Sequence, residues 1–284
     1  MDYISALFYG LIQGLCEFLP ISSSGHLALL PLILKIQDPG LFFDLMMHLG
    51  TSFSVLIYFR KRLQHIFISV GKRLRNPSLL NLKEKEDFSI FANIFIATLV
   101  SIMAIIVLRP FSELYARNPQ VIAFNLIVFG FFLFVVDWKS HKKRSLTQES
   151  AAFLSTNIIF ATLVGLAQAI AIFPGVSRSG ITLTAVLLLG SSRRAAAEFI
   201  FLLSLPIIII GALKSILDLV QAPAALDALN RGPLILGLVV SFLVGLAAIH
   251  YFLKWIKSFG MAPFALYRLF LGLTIIYFSD FLLK

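Results

Sequence analysis

The sequence predicts an all-α integral membrane protein built as an inverted-topology repeat, with about six transmembrane helices and two re-entrant helix pairs meeting near the bilayer midplane. Three observations predict it. Apolar residues make up 59% of the 284 and charged residues only 13%, with 28 phenylalanines, which is the composition of a polytopic chain. Residues 10–27, GLIQGLCEFLPISSSGHL, interrupt apolar flanks with Gln13, Glu17, Pro20, three serines and His26. An ionisable side chain at membrane depth costs roughly 2.5 to 3.5 kcal/mol on insertion scales, so such an interruption points to function. Finally, the stretch has a copy 155 residues later: residues 165–182, GLAQAIAIFPGVSRSGIT, repeat Gly10, Leu11, Gln13, Phe18, Ser22, Ser24 and Gly25 as Gly165, Leu166, Gln168, Phe173, Ser177, Ser179 and Gly180.

Taken in order, residues 4–34 are divided by Pro20 and the serines into pieces of about 15 and 10 residues, short of the roughly 20 a spanning helix needs, and read as a re-entrant pair. Residues 41–59 form the first span, with Asp44 and His48 four apart on one face. Residues 60–87 are polar and hold eight Lys or Arg, which predicts a cytoplasmic loop. Spans follow at 88–108, ended by Arg109 and Pro110, and at 119–137. Four basic residues between Lys139 and Arg144, beside Trp138, again read as cytoplasmic. Residues 151–190, interrupted by Pro174, Gly175 and the serines, form the second re-entrant pair, closed by Arg193 and Arg194. The last spans lie at 195–213, 233–253 and 263–282. The 214–232 connection, with Lys214 and Arg231 against Asp218 and Asp227, reads as external, whereas Trp255 between Lys254 and Lys257 marks a cytoplasmic end. The chain is thus one membrane domain, 1–284, with repeats 1–137 and 151–284 in opposite orientation and both termini outside. Interrupted segments in corresponding places point to a site near the midplane.

Other classes are set aside by the same reading. The net charge of +10 sits in loops where the positive-inside rule places it, and predicts no nucleic-acid partner. Cys16 is the sole cysteine, which excludes an internal disulfide and a Cys-rich metal cluster; no role is assigned to it. The opening Met1, Asp2 and Tyr3 lack a basic region, so no cleaved signal peptide is expected.

The second stretch offers an anion site. Gly175 and Gly180 let backbone amides approach a ligand, Ser177, Ser179 and Thr182 add hydroxyls, and Arg178 adds a planar fork that can grip a phosphate. A turn whose arginine merely pairs with a buried acid is the plainer alternative, and two serines with two glycines weigh against it. The first stretch offers the complement. Gln13 and Glu17, four apart, can turn two oxygens toward a hard divalent cation, Mg2+ or Ca2+, completed by substrate phosphates. Ser22, Ser24 and Gly25 extend the anion-binding surface, while Ser23 and His26 supply a nucleophile or a proton donor. Three routes stay open: attack by Ser23, attack by His26, or water activated by His26. Gln13 also reads simply as a helix–helix hydrogen bond, because Gln168 takes its place in the other half. Asp44 and His48 are weaker candidates, either orienting the site or bonding between helices.

At these residues the chain resembles the bacitracin-resistance family of undecaprenyl pyrophosphate phosphatases of the integral membrane kind. One signature is Gln13-Gly14-Leu15-Cys16-Glu17 running into residues 18–26, FLPISSSGH; the other is Pro174-Gly175-Val176-Ser177-Arg178-Ser179-Gly180-Ile181-Thr182. Residues 195–206 and 263–268 are also similar to the family. Many members carry glutamate where Gln13 stands and glutamine where His48 stands. The resemblance implies hydrolysis of the lipid diphosphate to the monophosphate carrier and phosphate, with a divalent cation, in the bacterial cytoplasmic membrane at a site open to the outer face. It further implies carrier recycling for the cell wall and bacitracin resistance. A polyprenyl-phosphate transporter or flippase is the rival reading, since inverted repeats with broken helices are a transporter architecture. The sequence leaves a homodimer open.

Overall fold

The computed structural model describes residues 2–278 apart from 35, 37, 77, 79, 117, 145–154 and 222–229, and these residues form eleven helices and no strand. In chain order they are α1 (Tyr3–Cys16), α2 (Ser23–Leu34), α3 (Gly40–Tyr58), α4 (Arg60–Arg75), α5 (Leu82–Leu114), α6 (Pro119–Arg144), α7 (Ile158–Ile170), α8 (Arg178–Leu188), α9 (Arg193–Val220), α10 (Arg231–Ser258) and α11 (Ala262–Tyr277). Among them five, α3, α5, α6, α9 and α10, are long and apolar enough to cross a membrane. This is a multi-pass helical membrane protein. The described part of α11 has 16 residues, short of a full span, and the end of the expected 263–282 segment lies outside the described residues. So do Asp227 and the loop at 145–149.

Local chemistry sets the helix ends. Asp2 caps α1 by accepting the Ser5 N–H at 2.7 Å, and Asn81 opens α5 with a full capping box closed by Glu84. Asn157 and Ser192 cap α7 and α9 in the same way. The polar segment expected as a loop after α3 is helical instead. In α4, Ile66 and Ser69 turn inward, and Arg62 reaches Asp87 of α5 at 2.6 Å; this buried partner gives a highly basic segment one face to pack. The basic run from Lys139 likewise continues α6 rather than forming a loop. Outside the bundle, Met103, Ile106 and Val107 of α5 are exposed, as side chains facing lipid must be.

The broken helices pack across the chain rather than against their neighbours in sequence: α1 lies on α10, and α7 on α5. Both contacts use glycine for close approach. A Cβ on Gly10 would stand 2.6 Å from the Gly237 carbonyl oxygen and 2.9 Å from Val240 Cβ; on Gly165 it would stand 2.6 Å from the Ala97 oxygen and 2.9 Å from Val100 Cβ. The largest core cluster gathers Phe18, Phe160, Phe199, Phe201 and Phe252 around the turn that ends α1, and a smaller one packs Tyr9, Leu27 and Met47 beneath α2. At one end of the bundle Arg193 grips Asp137 with both nitrogens, 2.6 and 2.9 Å, and Asp137 also accepts the Met261 N–H at 2.8 Å. That carboxylate ties α6, α9 and the α10–α11 turn together. Removing one partner of a buried pair leaves the other uncompensated, so Asp137→Ala is expected to destabilise the protein by about 3 kcal/mol, read from unfolding in detergent.

Candidate active site

Both interruptions are built the same way. The chain leaves α1 at Glu17, turns, and enters α2 through Ser22 at φ +77°; it leaves α7, turns, and enters α8 through Ser177 at φ +70°. A positive φ is costly for a serine, and here each hydroxyl compensates locally. Ser22 Oγ accepts the Gly25 N–H at 3.3 Å and lies 3.4 Å from Ser24 Oγ; Ser177 Oγ accepts the Gly180 N–H at 3.1 Å and lies 3.2 Å from Ser179 Oγ. Two helix N-termini, each with unpaired amides and the positive end of a dipole, therefore open at these breaks.

The breaks touch. Ser179 Oγ donates to the Leu19 carbonyl at 3.1 Å, and a Cβ on Gly25 would lie 3.5 Å from Gly175 Cα. The principal bridge is Arg268, fully buried on α11. Its Nη2 donates to the carbonyls of Val176 (2.8 Å), Gly175 (3.0 Å) and Asn125 (3.4 Å), and its Nη1 to Pro20 (3.5 Å). Asn125 of α6 adds a donor to the Pro174 carbonyl at 2.8 Å. Neither Arg268 nor Asn125 was singled out in the sequence. A charge and an amide inside apolar helices were available signals, of the kind that marked Glu17.

Glu17 is the hub. Arg178 Nη2 meets its Oε1 at 2.7 Å; its Oε2 accepts the Ser23 hydroxyl at 2.7 Å and Gln13 Nε2 at 3.0 Å, and stands 3.4 Å from His48 Nε2. Gln13, Glu17, Ser23 and Arg178 thus converge, joined by His48, which the sequence ranked lower. His26 is elsewhere. Its Nδ1 lies 2.7 Å from the Ser22 carbonyl and so carries the hydrogen, which leaves Nε2 to accept the Tyr267 hydroxyl at 2.7 Å. Thr182 turns its hydroxyl back onto the Arg178 carbonyl at 2.6 Å.

Gln13 Oε1 is buried without a hydrogen-bond partner, while its Nε2 faces the Glu17 carboxylate. That orphaned amide oxygen is the one atom of the cluster that fits a hard cation taking its remaining ligands from phosphate. Among the described residues no three His, Cys, Asp or Glu side chains gather closely enough to cage an ion. An apolar groove of about 650 Å³ is lined by Leu15, Leu19, Ile21, Tyr251, Phe264 and Tyr267, none of them a member of the hub. Tyr267 therefore borders the groove while holding His26.

Gly175 has φ +91°, and a Cβ there would stand 2.5 Å from the Ile122 carbonyl oxygen. Gly175→Ala is expected to destabilise the protein by at least about 1 kcal/mol, visible as a lowered unfolding temperature.

Relatives carry the same architecture of sequence from end to end. An undecaprenyl-diphosphatase of Marinobacter nauticus is 38% identical over 276 residues, 96% of this chain and 97% of the relative. An undecaprenyl-diphosphatase of Nitrosococcus oceani is 39% identical over 279 residues, 98% and 99% respectively. The family description "Bacitracin resistance protein BacA" matches residues 6–274, a range that takes in both breaks, Arg268 and the groove, and the chain belongs to that family.

Proposed function

We propose that this protein hydrolyses undecaprenyl diphosphate to undecaprenyl phosphate and inorganic phosphate, recycling the lipid carrier of cell-wall synthesis and lowering the amount of the diphosphate that bacitracin captures. One observation carries the reading: a serine hydroxyl hydrogen-bonded to a buried carboxylate, 2.7 Å, whose other oxygen holds an arginine at the mouth of an anion nest. That is the apparatus of phosphoryl transfer, a poised nucleophile with its base and a donor for developing charge. The names of the relatives support the substrate, and the apolar groove bordered by Tyr267, the partner of His26, suits a long prenyl chain.

In this reading the terminal phosphate replaces Glu17 on the Arg178 fork and is held by Ser177, Ser179 and Gly180 on one side and Ser22, Ser24 and Gly25 on the other. Ser23 Oγ attacks the terminal phosphorus while Glu17 takes its proton. The bond from that phosphorus to the bridging oxygen breaks, and the lipid monophosphate departs with the electron pair. Glu17 passes the proton it took to solvent; water then attacks the phosphoserine, giving its proton to Glu17, which returns it to the departing Ser23 oxygen as the phosphorus–serine bond breaks and phosphate leaves. The contact with Glu17 favours Ser23 over His26 as nucleophile; His26, with Nδ1–H on the Ser22 carbonyl and Nε2 accepting the Tyr267 hydroxyl, positions that tyrosine at the groove. Gln13 and Glu17 would hold a divalent cation such as Mg2+ or Ca2+, whose chemistry here is charge neutralisation on the phosphate oxygens.

The inverted-topology repeat belongs to the same proposal. Matching support comes from the paired breaks at Ser22 and Ser177 and the paired glycine contacts at Gly10 and Gly165. So do the cytoplasmic membrane and the outward-facing mouth. A homodimer forms no part of the reading, and no observation favours the transporter alternative.

With purified protein, Arg178→Ala should lower kcat/KM for undecaprenyl diphosphate by about 10²- to 10³-fold with the fold intact. Ser23→Ala should abolish both phosphate release and any phosphoprotein trapped by rapid acid quench; a trapped phosphoserine at another position sinks the assignment. Inorganic pyrophosphate, which has no chain for the groove, should be a much poorer substrate at equal concentration.

A further inference from the structure

We propose that α4 is an anchor for anionic phospholipid: it lies in the membrane interface beside the end of α3, sinks Leu63, Phe67 and Leu74 among the acyl chains, and binds the phosphate headgroups through Arg60, Lys61 and Arg75. This surface stands apart from the active site and does not depend on its chemistry.

Its placement comes from the helices on either side. Only Phe59 separates α4 from α3, so α4 starts where a helix long enough to span the membrane ends. Both ends of α4 then reach the same point of α5: Arg62 meets Asp87 at 2.6 Å, and the Arg73 guanidinium lies 5.4 Å from the centre of the Phe88 ring. Arg62 and Arg73 are eleven positions apart, roughly 16 Å of helix, whereas Asp87 and Phe88 are neighbours. The helix therefore crosses α5 instead of running beside it. The crossing point is where α5 passes from residues 83–87, KEKED, into its apolar run. A helix laid across a spanning helix at the start of its apolar stretch lies in the plane of the interface.

The faces of α4 fit that position. At about 100° per residue, Arg62, Ile66, Ser69 and Arg73 share the side turned to the protein. Beside it Leu63, Phe67 and Leu74 fall within an arc of about 40°. Phe67 is 63% and Leu74 80% exposed, so the described protein does not cover this stripe. Arg60, Arg75 and Lys61, all exposed, occupy the next arc of about 100°, with Ile68 among them. The helix carries six basic residues and no acid. Asp87 answers Arg62, Glu84 answers Lys72, and Arg73 rests on Phe88, which leaves Arg60, Lys61 and Arg75 without a carboxylate among the described residues. An uncovered apolar stripe bordered by unanswered cations is complementary to acyl chains beneath phosphate headgroups, where each basic residue gains from the negative surface potential. A water-soluble acidic partner would answer the cations but leave the stripe, level with the start of the hydrocarbon, to the lipid.

Full-length Leu74→Cys protein, spin-labelled there and reconstituted in vesicles of phosphatidylcholine with phosphatidylglycerol, is expected to relax with dissolved oxygen and not with a water-soluble nickel chelate; Cys16 is buried and stays unlabelled. A label open to the chelate puts the stripe in water, and one shielded from both reagents puts it under a second copy or another protein; either result overturns the proposal. Headgroup binding is read separately, by comparing spin-labelled phosphatidylglycerol with spin-labelled phosphatidylcholine. Wild-type protein should hold the anionic lipid in preference, and raised salt should weaken that preference. Arg60→Gln, Lys61→Gln and Arg75→Gln together should reduce it at least about fivefold, the effect of one basic residue near a charged membrane surface, with the unfolding temperature in detergent unchanged. An undiminished preference in the folded triple variant, or a wild-type preference indifferent to salt, overturns the anchor. The salt response and the Leu74 label need no charge variant, so they decide the matter even where that variant does not fold.

Discussion

The ion pair between Glu17 and Arg178 is the constraint on which the rest of the site depends. Each charge, alone at membrane depth, would cost several kcal/mol, and each belongs to a segment that breaks its helix and exposes backbone. Bringing the two breaks together solves both problems, because the carboxylate of one half answers the guanidinium of the other at 2.7 Å while the loops share hydrogen bonds. The pair is also exchangeable. Arg178 retains 21% exposure against 6% for Glu17, so an arriving phosphate can take the arginine without first excavating the carboxylate.

Arg268 solves a different problem. A break in a helix leaves carbonyls without partners, and in a bilayer interior there is no water to serve them. One guanidinium, held without a carboxylate among the described residues, serves the carbonyls of Gly175, Val176, Asn125 and Pro20. Its fork geometry suits that task better than a lysine's point charge would. The two arginines therefore divide the work: Arg178 pairs with the buried carboxylate across the two breaks, and Arg268 serves the carbonyls of the two turns.

Much of this was legible in the sequence for a physical reason. Polar residues inside apolar runs are expensive, so Gln13, Glu17, the serines and Arg178 stood out, and the 155-residue echo showed that the breaks belong together. What the sequence concealed was partnership. His48 and Asp44 were visible as a pair on one face, but only the packing of α3 against α1 puts the imidazole beside Glu17. His26, three residues from Ser23, read as a nucleophile or proton donor, yet the turn of α2 sends its ring to Tyr267 on α11. The basic segment after α3 looked like a loop because its amphipathic face is narrow; Ile66, Ser69 and the Arg62–Asp87 contact are what give it a side to fold on.

The packing of α1 against α10 through Gly10 has a consequence for how the protein is made. The 14-residue α1 is too short to cross the bilayer and is followed at once by a buried acid, and its partner surface, residues 231–258, is made much later than it. The same holds in smaller measure for Glu17, whose arginine is translated long after it. The packing of this short helix is thus completed only by a segment from the far half of the chain.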